Sequence, residues 1–313
     1  MFKKSFLYFF LIIVEVYSNK SNDHITLLLK ESYLKVIVSD STNIDSLDIS
    51  LYKIYDFEGN YTNVDTTISV KKDYKMNFLR KDYFNIITSS NMGHFYNKLS
   101  RNLINESVYQ KIGFNAKQEI YTNYNDIKYF NVPTPLSEMF FKTTFDQGQL
   151  LNSLITVNPS PIFNYAFGYT GMRSLGKYIH SRSNNTNFRA SFLIKSKSEN
   201  YNAKIHLNNQ RISNQENGGI TPTSKKAFID GDPDFIDRSL IENRFKNAES
   251  FMIGKRSYIN HFFYFGTNND QNFLVGQELF YETKSFNFVQ VSSNKFFGDV
   301  FSDGPINDLF KLS

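Results

Sequence analysis

The sequence contains no cysteine and no tryptophan in its 313 residues. Without cysteine the protein has no disulfide, no thiolate metal site and no thiol nucleophile. It also lacks the lipid-bearing cysteine that follows the signal peptide of a surface lipoprotein. The fold must therefore be stable without covalent cross-links, which a closed or large sheet can achieve.

Long apolar runs and enzyme motifs are also missing. After the N-terminus, no apolar run reaches the roughly 20 residues that a membrane-spanning helix needs. The sequence has no Gly-rich phosphate loop, no nucleophile elbow and no His-x-x-x-His pair, and its five histidines are scattered. We therefore predict no enzymatic activity, no cofactor and no metal centre.

The composition is that of a folded chain with many aromatic side chains. Apolar residues make up 41% and charged residues 21%, which excludes disorder. Phenylalanine (32) and tyrosine (20) account for an aromatic share of 17%, a richness typical of barrels that face lipid. The net charge of +5 is spread along the chain rather than gathered in a basic stripe, so we predict no nucleic-acid partner.

Residues 1–18 have the layout of a secretory signal peptide. Lys3 and Lys4 precede an apolar stretch that is too short to span a bilayer, and Ser18 supplies a small residue for cleavage. We expect export through a cleaved signal, with Glu15 leaving the exact cleavage point open. Residues 19–131 are rich in Asn, Asp and Lys, and we interpret them as a periplasmic or irregular β segment.

From residue 132 onward, apolar and polar side chains alternate with a period of two. This pattern predicts strands at about 136–145, 149–157, 163–173, 187–195, 201–213, 257–266 and 272–282. The strands have the length that a tilted strand needs to cross a bilayer. Aromatic and aliphatic side chains share one face, which we predict to contact lipid: Phe163, Tyr165, Phe167, Tyr169, Phe188, Phe192, Ile194, Tyr201, Ile205 and Leu207.

Charged side chains on the opposite parity are candidates for a pore lining. They are Glu138, Lys142, Arg189, Lys195, Lys204 and His206, and a solvated lumen position is the expected environment of His206. An acidic cluster, Asp230, Asp232, Asp234 and Asp237, begins with the spacing of an EF-hand calcium loop. Phe235 and Ile241 replace the glycine and glutamate that such a loop requires, so we favour a self-folded loop over a calcium site.

The connections between the predicted strands alternate in length. Short connections at 158–161, 196–200 and 267–271 alternate with longer ones at 174–186 and 214–255, and only the tight turn at 146–148 departs from this order. Outer-membrane barrels have short periplasmic turns and long external loops, whereas a soluble meander has no such requirement. The pattern predicts an all-β fold and favours an antiparallel transmembrane β-barrel over a soluble sandwich.

Several blocks of sequence resemble the putative porin family of Bacteroidetes-type outer membranes. Along the chain they are ISLYKIYDF at 49–57, KKDYKMNFLRKDYF at 71–84, residues 132–181, NQENGG at 214–219 and GDPDFIDRS at 231–239. The blocks occur in the family's order, and the similarity covers roughly residues 45–300. The resemblance implies an outer-membrane barrel that acts as a passive channel for small solutes, without enzymatic activity or cofactor. Its partners would be outer-membrane lipid and the barrel-assembly machinery, and the oligomeric state stays open.

Family chains continue past the point that matches residues 296–301, so we expect residues 132–313 to form an incomplete, N-terminal part of the barrel. Two other functions stay open. The long loop 214–255 could serve a surface-exposed binding or adhesion protein. A secreted soluble β-protein or hydrolase would instead pack the aromatic face into a dry core.

Overall fold

A computed structural model describes residues 48–67, 86–89, 91–99, 119–144, 147–198, 200–265, 273–291 and 306–312, with short pieces between 69 and 80. The predicted signal peptide, residues 1–18, lies outside the described residues, as does the adjoining part of the N-terminal segment up to residue 47.

The chain is mostly antiparallel β-sheet, as predicted. Five short strands come first: β1 (Lys53–Tyr55), β2 (Tyr61–Asn63), β3 (Ile86–Thr88), β4 (Tyr96–Lys98) and β5 (Tyr129–Asn131). Longer strands follow: β6 (Leu136–Thr144), β7 (Gly148–Ser160), β8 (Phe163–Ser174), β9 (Ser183–Lys195), β10 (Tyr201–Glu216), β11 (Ala248–Phe265), β12 (Phe273–Gln290) and β13 (Ile306–Leu312). Strands β6 to β13 form one eight-stranded sheet in chain order, each paired with its neighbours. Within the described residues β6 and β13 do not pair with each other, so they are the edges of the sheet.

The seven strands predicted from the alternating pattern correspond to β6–β12, and several are longer than predicted. The largest difference is in β11, which begins at Ala248 rather than near residue 257. The first part of β11 shows no apolar–polar alternation, because Phe251, Met252 and Ile253 are three consecutive apolar residues. Met252 belongs to a buried cluster. The long loop consequently spans residues 217–247 rather than 214–255.

The two faces of the large sheet have different surroundings. One face packs against the N-terminal segment, by which we mean the described residues from Ile49 to Val132, and we call it the covered face. The other is called the open face. Because successive side chains of a strand point to opposite faces, each strand contributes alternate residues to each.

The N-terminal segment contains two small sheets. Strand β1 lies between β2 and β5, and β3 pairs with β4. Four apolar clusters join the segment to the covered face, among them Tyr55, Ile127 and Tyr129 around Leu193, and Phe130 with Val132 against Ala166. The apolar core of the described protein is therefore the boundary between the segment and the sheet.

The loop between β10 and β11 is folded. Its two ends are joined by backbone hydrogen bonds from Thr221 to Glu242 and from Arg244 to Gly219. Between them lies helix α1 (Pro222–Asp230), capped by the Thr221 side chain, which accepts from the Ser224 amide, and by Gly231 in the left-handed conformation. No helix among the described residues is long and apolar enough to cross a membrane.

Candidate pore-lining face

All six residues predicted to line a pore lie on the covered face of the sheet. At its β6 edge, Glu138 forms an ion pair with Arg80 and Lys142 donates to the Met76 carbonyl at 2.8 Å. Lys195 lies over the Tyr55 ring, 3.9 Å from its centroid, and Lys204 donates to the Phe57 carbonyl at 2.9 Å. The structure thus brings the predicted charges to one face and surrounds them with the N-terminal segment.

The side chain of Arg189 lies against the neighbouring strands of the sheet. It sits on the covered face of β9, where its guanidinium lies above Gly168 and its Nη2 is 3.5 Å from Asn152 Oδ1. A Cβ atom on Gly168 would approach the Arg189 guanidinium to 3.1 Å. The small side chains on this face of β8 therefore leave room for a long cation on β9.

The sixth residue, His206, is fully buried rather than solvated. Its Nε2 accepts from Arg256 Nε at 3.0 Å, and its Nδ1 lies 2.8 Å from the Tyr129 hydroxyl. Because arginine only donates, Nε2 must carry a lone pair, which makes His206 the neutral Nδ1–H tautomer that donates to Tyr129. Tyr258 stacks on the imidazole with ring centroids 4.9 Å apart. The histidine is thus a structural link between the segment and the sheet.

Arg256 stands at the centre of a buried charged group. Its Nη1 donates to Glu282 Oε1 at 3.0 Å and to the Thr122 carbonyl at 3.1 Å, and its side chain is 2% exposed. Glu282 also binds Lys284 at 3.0 Å and accepts from the Tyr121 hydroxyl at 2.9 Å. Glu282 therefore connects two basic residues of the sheet with a tyrosine of the N-terminal segment.

Amide side chains continue these contacts across β9 and β10. Gln210 accepts from the Thr122 amide at 2.8 Å and donates to the Ile120 carbonyl at 2.9 Å. Asn187 Nδ2 donates to the Thr122 hydroxyl at 2.6 Å. One segment residue, Thr122, is thus bound through its amide, its hydroxyl and its carbonyl by three residues of the sheet.

Burial changes the acidity of two phenols in the segment. The pKa of Tyr129 is raised above its usual range by burial, with a smaller contribution from Tyr258. Burial likewise raises the pKa of Tyr121, and the neighbouring Glu282 carboxylate raises it further. Both side chains are 0% exposed, so both hydroxyls stay protonated where they meet the sheet.

The ten residues predicted to contact lipid share the open face, and none of them is buried. Phe167 and Phe188 are 42% and 47% exposed, and their rings stack across β8 and β9 with centroids 6.3 Å apart. The open face of β6 continues this surface with Met139 and Phe141. Contact with lipid stays a prediction for this face.

The sequence pattern missed the residues that hold the N-terminal segment: Tyr121, Thr122, Tyr129, Gln210, Arg256 and Glu282. Two irregularities in the alternation pointed to this region. Leu193 and Phe140 are apolar side chains at positions that the alternation predicted to be polar, and each packs in a cluster with the segment. An apolar residue at a position predicted to be polar thus marked the places where the sheet is covered.

The acidic cluster of the long loop binds its own backbone. Asp232 accepts from the Asp234 amide, and Asp237 accepts from the amide and hydroxyl of Ser239, which lower the pKa of its carboxyl. Asp230 ends helix α1. Within the ranges that the structure describes, no three His, Asp or Glu side chains converge as metal ligands would.

Residues 48–313 match the family model described as "Putative porin". The chain belongs to this family. The match includes the N-terminal segment as well as the eight-stranded sheet, so the segment is part of the family domain rather than an addition to it. Porin-family membership indicates an outer-membrane protein with a channel-type role. A search of curated proteins gives no match.

Proposed function

We propose that this porin-family protein is an outer-membrane channel for the passive diffusion of small polar solutes, exported by the signal peptide at residues 1–18. The open face contacts lipid, and the covered face lines the solute path. Outer-membrane lipid and the barrel-assembly machinery are the partners that this arrangement requires.

The observation that carries the proposal is the difference between the two faces of one sheet. The open face presents Phe167, Tyr169, Phe188 and Leu207 to the surroundings. The covered face carries amides and charges, and the buried side chains of Asn208 and Asn214 have no hydrogen-bond partner among the described residues. An aromatic exterior suits hydrocarbon, whereas amides with unused hydrogen-bonding capacity suit water and polar solutes.

Strand length supports the same arrangement. Strands β7–β12 contain 12 to 18 residues. A tilted strand crosses the hydrocarbon layer with about 9–11 residues. These strands are therefore long enough to cross and to extend beyond the membrane at one end.

The proposal is tested on the full chain expressed in a Gram-negative host. We expect it in the outer-membrane fraction, with a gel mobility that shifts on heating, and we expect unsaturable uptake of small sugars by liposomes that contain it. Discrete conductance steps in planar bilayers would accompany that uptake. A freely soluble protein would overturn the barrel, and a membrane-inserted protein without conductance or uptake would overturn the channel.

A second function, ligand binding at the loop 217–247, is favoured by a cavity of about 200 Å³. Its lining residues are Tyr178, Asn217, Gly219, Ile220, Phe228, Ile241 and Asn243. Asn243 is 4% exposed, and its Nδ2 donates to the Ile179 carbonyl while its Oδ1 has no partner among the described residues. The cavity is smaller than the roughly 300–1,000 Å³ of typical ligand pockets, so it fits a single ring that carries a hydrogen-bond donor.

Binding of small ring compounds to the full chain, followed by calorimetry, tests this second function. Phe228→Ala and Asn243→Ala should abolish the heat of binding. Ile229→Ala is the matched control, since Ile229 adjoins Phe228 but does not line the cavity. Equal binding by the unaltered protein and by all three variants would show that the loop is not the binding site.

A further inference from the structure

The covered face is a buried contact surface rather than a free lining. His206, Gln210, Arg256 and Tyr258 are between 0% and 2% exposed, and Ser191 is 5% exposed. Each of the first three bonds to the N-terminal segment, and Ser191 donates to the Lys128 carbonyl at 2.8 Å. In this arrangement the segment occupies the position that a solute would have to pass.

Residues 119–132 are held on the sheet by hydrogen bonds as well as by the apolar clusters. Thr122 is bound by Gln210, Asn187 and Arg256, and Tyr121 and Tyr129 are bound through their hydroxyls. The net contribution of one such bond is small, about 0.5–1.5 kcal/mol between neutral groups and about 1.5–3 kcal/mol where charged Arg256 or Glu282 takes part. The apolar clusters are small, each with three to five buried residues. The segment is therefore docked through many contacts that are each small.

We propose that residues 119–132 are an internal plug of the channel, with Thr122 as its anchor on the sheet, and that solutes pass when this part of the segment moves away from the covered face. The inference rests on the proposed channel function. It assigns Arg256 as the residue that positions the anchor, since Arg256 joins Thr122 to both His206 and Glu282.

The absence of cysteine allows a clean cross-linking test on the full chain. Thr122→Cys with Asn187→Cys places two thiols where Oγ1 and Nδ2 now lie 2.6 Å apart, joining the plug to the sheet. Thr156→Cys with Asn164→Cys is the control, because Thr156 Oγ1 and Asn164 Nδ2 lie 2.9 Å apart within the sheet itself. Gel mobility shows whether each disulfide has formed, and a short bismaleimide replaces oxidation where it has not.

We expect the cross-linked 122/187 protein to lose most of its conductance in planar bilayers and to regain it when a disulfide is reduced. The 156/164 protein should conduct equally in both states. Equal conductance of the free and cross-linked 122/187 protein would overturn the plug while leaving the channel intact. A lack of conductance in every form would overturn the channel function itself.

A second pair of variants tests the role of Arg256. Arg256→Gln removes its ion pair and weakens its hold on Thr122, so we expect a larger fraction of open channels than in the unaltered protein. Lys255→Gln removes a charge from the adjacent, exposed residue on the open face and should leave the open fraction unchanged. An unchanged open fraction in folded Arg256→Gln, judged by its heat-shifted mobility, would contradict the positioning role.

Discussion

Tyr121 lies directly over the backbone of Gly254, so closely that a Cβ atom on Gly254 would come within 2.2 Å of the Tyr121 hydroxyl oxygen. Because glycine has no side chain, Tyr121 can lie close to the sheet at this point of β11, and its hydroxyl reaches Glu282 on the next strand. The contact joins the N-terminal segment to two adjacent strands of the sheet. Side-chain volume at residue 254 therefore decides whether Tyr121 can dock.

Enlarging Gly254 should loosen the segment. Overpacking a buried contact costs about 1–3 kcal/mol, and the cost should rise from Gly254→Ala to Gly254→Val. We expect both variants to show faster proteolysis within residues 119–132 and a heat-induced mobility shift at lower temperature. Ser257→Ala, on the exposed open face of the same strand, should leave both measurements unchanged.

Alkaline pH should weaken the docking of the segment. The pKa values of Tyr121 and Tyr129 are raised in the folded protein, while an unfolded tyrosine ionises near about 10. Their contribution to stability is therefore complete below that pH and is lost as the pH rises toward the raised values. Phenolate absorbance should show late-titrating groups, with one fewer in Tyr121→Phe and one fewer in Tyr129→Phe. Exposed Tyr124, replaced by Phe, provides the comparison. An undiminished late phase in both Tyr121→Phe and Tyr129→Phe would contradict the burial effect.

A charge on the open face should prevent stable insertion into lipid. Phe167→Lys places an ammonium among the aromatic rings of β8 and β9, at a cost of about 2–4 kcal/mol near the membrane midplane and about 0–1 kcal/mol at the interface. Folding yield in lipid vesicles measures the effect. Phe167→Leu keeps the site apolar and should fold normally, and full tolerance of lysine would show that this face does not contact hydrocarbon.

Leu193 lies on the covered face, at a position that the alternating pattern predicted to be polar, and it should contribute to stability. It is 3% exposed and packs with Tyr55, Ile127 and Tyr129. We expect Leu193→Ala to lower the free energy of unfolding by about 2–5 kcal/mol. Leu193→Met keeps the volume and should cost less than about 1.5 kcal/mol. Denaturant unfolding in detergent, followed by tyrosine fluorescence, distinguishes this from a lipid-exposed leucine, for which the two variants would behave alike.

The large sheet could be predicted from the sequence because its signal is local. Alternation within single strands placed Phe188 and Arg189 on opposite faces, and the structure has the same parity. Polar turns such as residues 196–200 fixed most strand ends. Helix α1 was also predictable in principle, since Thr221, Pro222 and Gly231 are a cap, a first-turn proline and a C-terminal glycine.

The cover over the sheet could not be predicted because its contacts join distant parts of the chain. Tyr121 and Glu282 are 161 residues apart, and Thr122 and Arg256 are 134 apart. No period or spacing encodes such a pair. In the sequence, buried polar residues such as Arg256 and His206 look the same as polar residues that line a water-filled lumen. Only the structure, in which Tyr129 and Tyr258 pack against His206, distinguishes the two environments.

The separation between Tyr121 and Glu282 also bears on the order of folding. Contacts between distant residues form slowly because the chain must first close a large loop. Tyr121 precedes every strand of the large sheet along the chain, yet its partner Glu282 lies in the next-to-last of the described strands. The docking site of the plug is complete only when β11 and β12 have paired. A part of this domain that is synthesised before the large sheet is therefore among the last to have its position fixed.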